Sequence, residues 1–211
     1  MKKLALIILM PLFIFLFNFQ LLLNDNDFFF NEFEKNNVYS KFDLSKEKLN
    51  YEASNLINFL QGSSSLNDSV FYTKEELIHL NDVKTLIRTL SILFYIILAA
   101  LIILIVYLIY KKEYIFLFNS LIYGSLITLA LIVILSFFSN YGFSSLFRVF
   151  HIISFRNQYW LLPETASLIK LFPQEFFEHA LKKIILNSII SSLTLLIISF
   201  ISVNIAKKVI K

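Results

Sequence analysis

Apolar residues gather in four runs, 4–23, 90–110, 114–138 and 184–206, and none of the four contains an acidic or basic side chain. Each has the roughly 20 residues that a helix needs to cross a hydrocarbon core. Lipid offers the backbone no hydrogen-bond partners, so such runs must be helical and satisfy their own N–H and C=O groups. The pattern predicts an all-α integral membrane protein, with four transmembrane helices in one membrane domain over residues 1–211. The polar residues concentrate in two remaining segments, 24–86 and 139–183.

Both segments carry shorter patterns. Aromatic and polar residues alternate over 24–41 ("DFFFNEFEKNNVYSKF"), which reads as short strands or an interfacial arm. In "DLSKEKLNYEASNLINFLQG", Leu49, Ala53, Leu56, Ile57 and Leu60 recur at helical spacing. Asp43 or Ser45 can cap that amphipathic helix and Gly62 can stop it. "SSSLNDS" is a loop. Thr73 followed by Glu76 is a capping-box pattern, and a helix starting there can run straight into the second span. Further on, Gly142 breaks the third span, and 144–155 reads as an apolar helix lying in the membrane interface. Tyr159 and Trp160 suit headgroup depth. Pro163 and Pro173 bracket a short apolar helix, "ETASLIKLF", and "QEFFEHALKK" leads back into the fourth span. The two segments together predict a cap of short amphipathic and interfacial helices.

Charge supplies an orientation. Lys2, Lys3, Lys111, Lys112, Lys207, Lys208 and Lys211 put seven of the 19 Lys and Arg residues into very short connections or ends. By the positive-inside rule these face the cytoplasm, with both termini, and leave 24–86 and 139–183 outside. Fourteen of the 15 acidic residues fall in those two outer segments, and only Glu113 falls inside. Residues 24–86 hold eleven acids against six lysines, a net-negative face. The isoelectric point near 9.1 therefore reflects the inner lysines and is no nucleic-acid footprint. The N-terminus begins like a signal peptide, but no small-x-small site follows, so we read an uncleaved anchor, with Pro11 kinking it; cleavage near Asn24 is the competing reading. Cysteine is absent, which removes disulfides and thiol chemistry.

Candidate chemistry is sparse. Glu76, His79 and Asp82 share one helix face at i, i+3 and i+6. They read either as a solvated juxtamembrane turn or as a histidine whose flanking carboxylates orient it and raise its basicity. Ser144, Arg148 and His151 share a face of the next candidate helix, where His151 is equally readable as a packed histidine. His179 sits at the entry to the fourth span and reads as a boundary histidine. A phosphate loop, GxSxG, CxxC and HExxH are all missing. His79, Asp82, His151 and a further carboxylate could hold a metal, but no tight ligand pair is present, and no metal is expected.

The two blocks "YTKEELIHLNDVK" and "FHIISFRNQYWLLPETASLIKLFPQEFF" resemble the small four-span bacterial lipoprotein intramolecular transacylases, the Lit family. The matching positions are Thr73, Glu76, His79, Asp82 and Val83 in the first block. In the second they are Phe150, His151, Phe155, Asn157, Trp160, Pro163, Leu168, Pro173, Phe176 and Phe177. Leu162 and Ala166 depart from it, standing where acidic residues are common.

The resemblance implies transfer of the sn-2 acyl chain of a diacylglyceryl lipoprotein to the α-amine of its N-terminal cysteine. It implies no cofactor, since donor and acceptor are one molecule. It further implies His79 and His151 as the catalytic pair, supported by Glu76, Asp82, Arg148, Asn157 and Trp160. Asp82 or Glu76 would orient an imidazole, and Arg148 or Asn157 would stabilise the oxyanion. Partners would be diacylglyceryl lipoproteins and membrane lipid, with no nucleic acid. Two rivals stand beside this: a metal-dependent lipid or lipoprotein hydrolase, and a non-catalytic accessory protein whose outer cap binds a partner.

Overall fold

The computed structural model describes residues 2–66 and 71–209, and every element among them is helical. The helices are α1 (Lys2–Leu23), α2 (Asn26–Lys35), α3 (Lys46–Leu60), α4 (Lys74–Tyr110), α5 (Tyr114–Tyr141), α6 (Phe143–Ser154), α7 (Ser167–Leu171) and α8 (Gln174–Val209), with a 3₁₀ turn at Val38–Lys41. Four of them, α1, α4, α5 and α8, are long and apolar enough to cross a membrane. The predicted second and fourth spans are the apolar parts of longer helices, because α4 begins at Lys74 and α8 at Gln174.

The chain divides into two compact units. One comprises α1 up to Leu21, Ser91–Phe138, and α8 from Lys182 onward. Leu6, Met10 and Ile14 of α1 pack there with Ile97, Leu101 and Leu108 of α4 and Leu117 and Leu121 of α5. Close approach depends on small residues, as expected where lipid removes the usual hydrophobic drive between helices. A Cβ on Gly124 would lie 2.7 Å from the Met10 Cβ. Asn18, the one amide buried in α1, donates to the Ile14 carbonyl at 2.9 Å and reaches Ser188 and Ser191 of α8 at 3.3 Å. The α4–α5 turn closes through Lys112 in the left-handed region (φ 57°), with Glu113 N–H bonding the Leu108 carbonyl at 2.9 Å.

The second unit comprises Leu22–Leu90 and Ser139–Leu181. Its α3 matches the predicted amphipathic helix closely. Ser45 caps it, accepting from Lys48 N–H, and Gly62 (φ 86°) ends it with the paired 6→1 and 5→2 bonds of a Schellman turn. Leu49, Ala53, Leu56 and Ile57 are buried as predicted, but Phe59, and not Leu60, completes the stripe. The loop predicted at 63–69 is described as far as residue 66; the rest lies outside the described residues.

The strand reading of 24–41 is overturned. Asp25 caps α2 by accepting from Phe28 N–H, and Phe28, Phe29 and Phe33 fall on one helical face. That face packs on Phe172 and Phe176, with ring centroids 5.4–6.3 Å apart. The apparent alternation of 24–41 came from adjacent phenylalanines, whose i, i+1, i+5 spacing suits a helix better than a pleat.

Candidate active site

His79 stands in the second turn of α4, and its placement starts with Glu76. The predicted capping box is present: Thr73 Oγ1 accepts from Glu76 N–H at 3.3 Å, and Glu76 Oε2 accepts from Thr73 N–H at 2.7 Å. The other oxygen does something the spacing did not foretell. Glu76 Oε1 accepts from Leu168 N–H at 2.7 Å. Leu168 is the second residue of α7, whose cap position holds Ala166 and has no side-chain acceptor. Glu76, only 1% exposed, thus caps α4 in its own chain segment and α7 from across the unit. Of the two carboxylates expected to orient an imidazole, Asp82 or Glu76, the latter is bonded to main-chain donors on both oxygens.

His151 lies on the buried side of α6. Its Nδ1 is 2.7 Å from the Phe147 carbonyl. A carbonyl only accepts, so Nδ1 carries the hydrogen and the Nε2 lone pair is left free. The His79 and His151 ring centroids are 6.0 Å apart with planes tilted by 32°. Aromatic rings surround the pair: Phe147 at 4.3 Å and Trp160 at 5.1 Å from His151, and Phe155 at 5.0 Å from His79. The apolar run of α4 starts only at Leu90, so His79 stands outside it.

Burial sets the electrostatics. Loss of solvent, then the neighbouring His151, push His79 down to about 4, with Asp82 pulling the other way. His151 is also lowered by burial, against the opposing bond to Phe147. Both imidazoles are neutral bases at pH 7. The Nδ1 of His79 is buried and has no hydrogen-bond partner among the described residues.

The supporting residues divide. Asp82 accepts from the Asn157 amide at 2.8 Å, and Asn157 Oδ1 accepts from Tyr159 N–H at 3.1 Å. Trp160 stacks obliquely on His151. Arg148 is exposed, as is Ser144, which accepts from Gln174 at 2.8 Å. Of Ser144, Arg148 and His151, α6 turns only His151 inward, so the face that the three share by spacing is split at the surface.

His179 is more than a boundary residue, since its Nδ1 meets the fully buried carboxylate of Glu32 on α2, which also holds Lys35. Sequence reading missed that pair and the Phe147 carbonyl. A 147-residue separation hides the first, and the second has no side-chain signature. Among the described residues no three His, Cys, Asp or Glu side chains converge as metal ligands would.

Four apolar spans and a unit that buries two histidines among aromatic rings describe a membrane protein holding side chains of a type able to transfer protons or attack an ester. Residues 4–177 match the family model of the lipoprotein intramolecular transacylase Lit. The chain belongs to that family and is by membership an intramolecular acyltransferase. A crystal structure of the membrane integral lipoprotein intramolecular transacylase Lit from Bacillus cereus shares the fold, with 23% identity and a TM-score of 0.84 over 100% of this chain and 97% of that one. Two further structures of that protein, in which one histidine is replaced by arginine or by alanine, align at TM-scores of 0.77 and 0.76. They are 21% and 22% identical, covering 98% and 100% of this chain and 92% and 94% of theirs. No curated protein matches the chain in sequence. The chain is accordingly a bacterial integral membrane protein.

Proposed function

We propose that this transacylase moves the sn-2 acyl chain of a diacylglyceryl lipoprotein to the α-amine of the N-terminal cysteine, with His79 and His151 as its catalytic pair. One observation carries the reading. Two histidines from opposite polar segments of the chain meet at 6.0 Å, both deprived of solvent.

Transfer from ester to amide forms a C–N bond and breaks a C–O bond. One proton must leave the amine and one must reach the glycerol oxygen, and the product has the mass of the substrate. His151, with Nδ1–H held by Phe147, offers Nε2 as the base for the amine. The proton that His151 takes from the amine then passes to the departing glycerol oxygen, with His79, whose Nδ1 has no partner among the described residues, placed to relay it, so both imidazoles begin and end the cycle neutral. The aromatic rings keep water from taking the acyl group, which would turn transfer into hydrolysis. Donor and acceptor sit in one molecule, so effective concentration supplies much of the rate without a cofactor.

The lysine distribution supports both termini in the cytoplasm and residues 24–86 and 139–183 outside. The scissile ester lies at headgroup depth, where the acyl chains stay in lipid and the net-negative outer segment attracts the α-amine.

The test is mass spectrometry of a reporter lipoprotein's N-terminal lipopeptide, made in a host that otherwise produces only the diacyl form. Wild type should shift one chain to nitrogen at unchanged mass, and His79→Ala and His151→Ala should not. Loss of a chain would instead show a hydrolase. An unchanged lipopeptide with wild type present would reject the reading.

A further inference from the structure

We propose that Glu76 and Asp82 are positioning residues that fasten segment 157–168 as a strap across the histidine pair, fixed at its Leu168 end and releasable at its Asn157 end. The proposal rests on the roles given above to His79 and His151.

On α4, His79 stands three residues from each carboxylate on one helix face. Both carboxylates are occupied by the same stretch of chain. Glu76 takes the Leu168 N–H at 2.7 Å, and Asp82 takes the Asn157 amide at 2.8 Å. The segment therefore runs from one side of His79 to the other. Along the way it lays Trp160 on His151, 5.1 Å between centroids. It has no helix of its own until Ser167; turns closed by Leu161 N–H on Gln158 and Ala166 N–H on Pro163 shape it locally, and the two carboxylates tie its ends to α4.

The attachments differ in kind. Glu76 is buried, and its release would strand the Leu168 N–H, whose bond to it is buried, and would undo the cap that starts α4 at Thr73. The Asp82–Asn157 bond joins two half-buried side chains, and water can replace either partner when they part. Opening is therefore confined to the Asn157 end, while Leu168 keeps the strap in register. Tyr159 and Leu161, both largely exposed, give the movable part an apolar surface suited to an acyl chain. Admission of the lipoprotein and exclusion of water are then one motion.

The experiment uses the full-length protein in nanodiscs with a diacylglyceryl lipopeptide. Asp82→Leu and Asn157→Leu each remove the releasable bond. Each should slow N-acylation about tenfold, the scale of one hydrogen bond to a charged group. Each should also raise the share of acyl chain lost as free fatty acid, and speed amide exchange across residues 157–166. The exchanged pair, Asp82→Asn with Asn157→Asp, rebuilds the bond with its polarity reversed and leaves an acceptor for Tyr159 N–H. It should recover the product ratio and the slow exchange.

A global loss of stability would lower transfer and hydrolysis together, so the ratio separates fastening from folding. If the exchanged pair stays as impaired as the single variants, the carboxylate at position 82 serves an imidazole and the strap is rejected. Unchanged exchange in both leucine variants also rejects it. If wild type performs no transfer, the catalytic reading fails, and amide exchange still decides the strap by itself.

Discussion

Replacing Glu76 with alanine should be among the most damaging single changes in the second unit. The carboxylate is 1% exposed and accepts two N–H bonds of 2.7 Å, one that starts α4 and one that starts α7. The buried bond to Leu168 N–H contributes about 1.5–3 kcal/mol, and its loss leaves a buried donor unpaired. The bond to Thr73 N–H, at an exposed residue that water can reach, contributes about 0.5–2 kcal/mol as a helix cap, so the two total about 2–5 kcal/mol, a large share of the ordinary stability of a domain. A chain of this size loses roughly 2–4 °C per kcal/mol, so the midpoint should fall on the order of 10 °C. Glutamine separates hydrogen bonding from shape. Its single carbonyl oxygen can serve one N–H, but its NH₂ group confronts the other, so Glu76→Gln should lose about half as much. Thermal unfolding in detergent, followed by intrinsic fluorescence and by aggregation, measures both. A Glu76→Ala midpoint within about 2 °C of wild type would refute the double-cap argument.

Other consequences follow from burial and packing. Both histidines are held below their usual value of 6.5, His79 near 4, so they stay neutral when the unfolded chain protonates. The unfolded state then binds more protons, and stability must fall as pH drops below 6.5. The acid limb of the transfer rate should likewise have its midpoint below 6.5; a midpoint at or above that value contradicts the buried neutral pair. Glu32 is lowered despite its burial, because Lys35 and His179 outweigh the loss of solvent. Its contribution is present above the ordinary carboxylate value of 4.5 and disappears as pH falls through the lowered one. The melting deficit of Glu32→Gln should therefore be largest near pH 7 and shrink in acid, as pH-dependent melting would show. Gly124→Ala should cost about 1–3 kcal/mol by forcing the Met10 backbone region of α1 away from α5. Its thermal midpoint measures that cost, and the unstrained Ser120→Ala, which loses one intrahelical bond, is the control.

The four spans, α3 and the Thr73–Glu76 box were readable in the sequence because each rests on local rules: run length, 3.6-residue spacing and capping geometry. Pairing His79 with His151 came from a family resemblance, since a 72-residue separation carries no local signal. Other features resisted for definite reasons. The second bond of Glu76 reaches a main-chain N–H 92 residues away, and Ala166 invites it only by failing to cap α7 itself. The tautomer of His151 is set by a carbonyl of its own helix, and a carbonyl belongs to every residue. Adjacent phenylalanines in α2 imitated a strand because a helix that buries neighbouring positions blurs its own period. Arg148 shares spacing with His151, yet only the structure separates the inward residue from the exposed one.

The central claim is that one site containing His79 and His151 carries a chain from oxygen to nitrogen within a single lipoprotein. It is tested most directly with purified protein in nanodiscs and a diacylglyceryl lipopeptide labelled isotopically only in its sn-2 chain, mixed with an unlabelled lipopeptide of different peptide mass. Fragmentation of the product locates the label. The account predicts labelled acyl on the cysteine nitrogen of the labelled peptide alone, at unchanged total mass, with none formed by His79→Ala or His151→Ala. Label on the other peptide, label released as fatty acid, or undiminished transfer by either variant would contradict it.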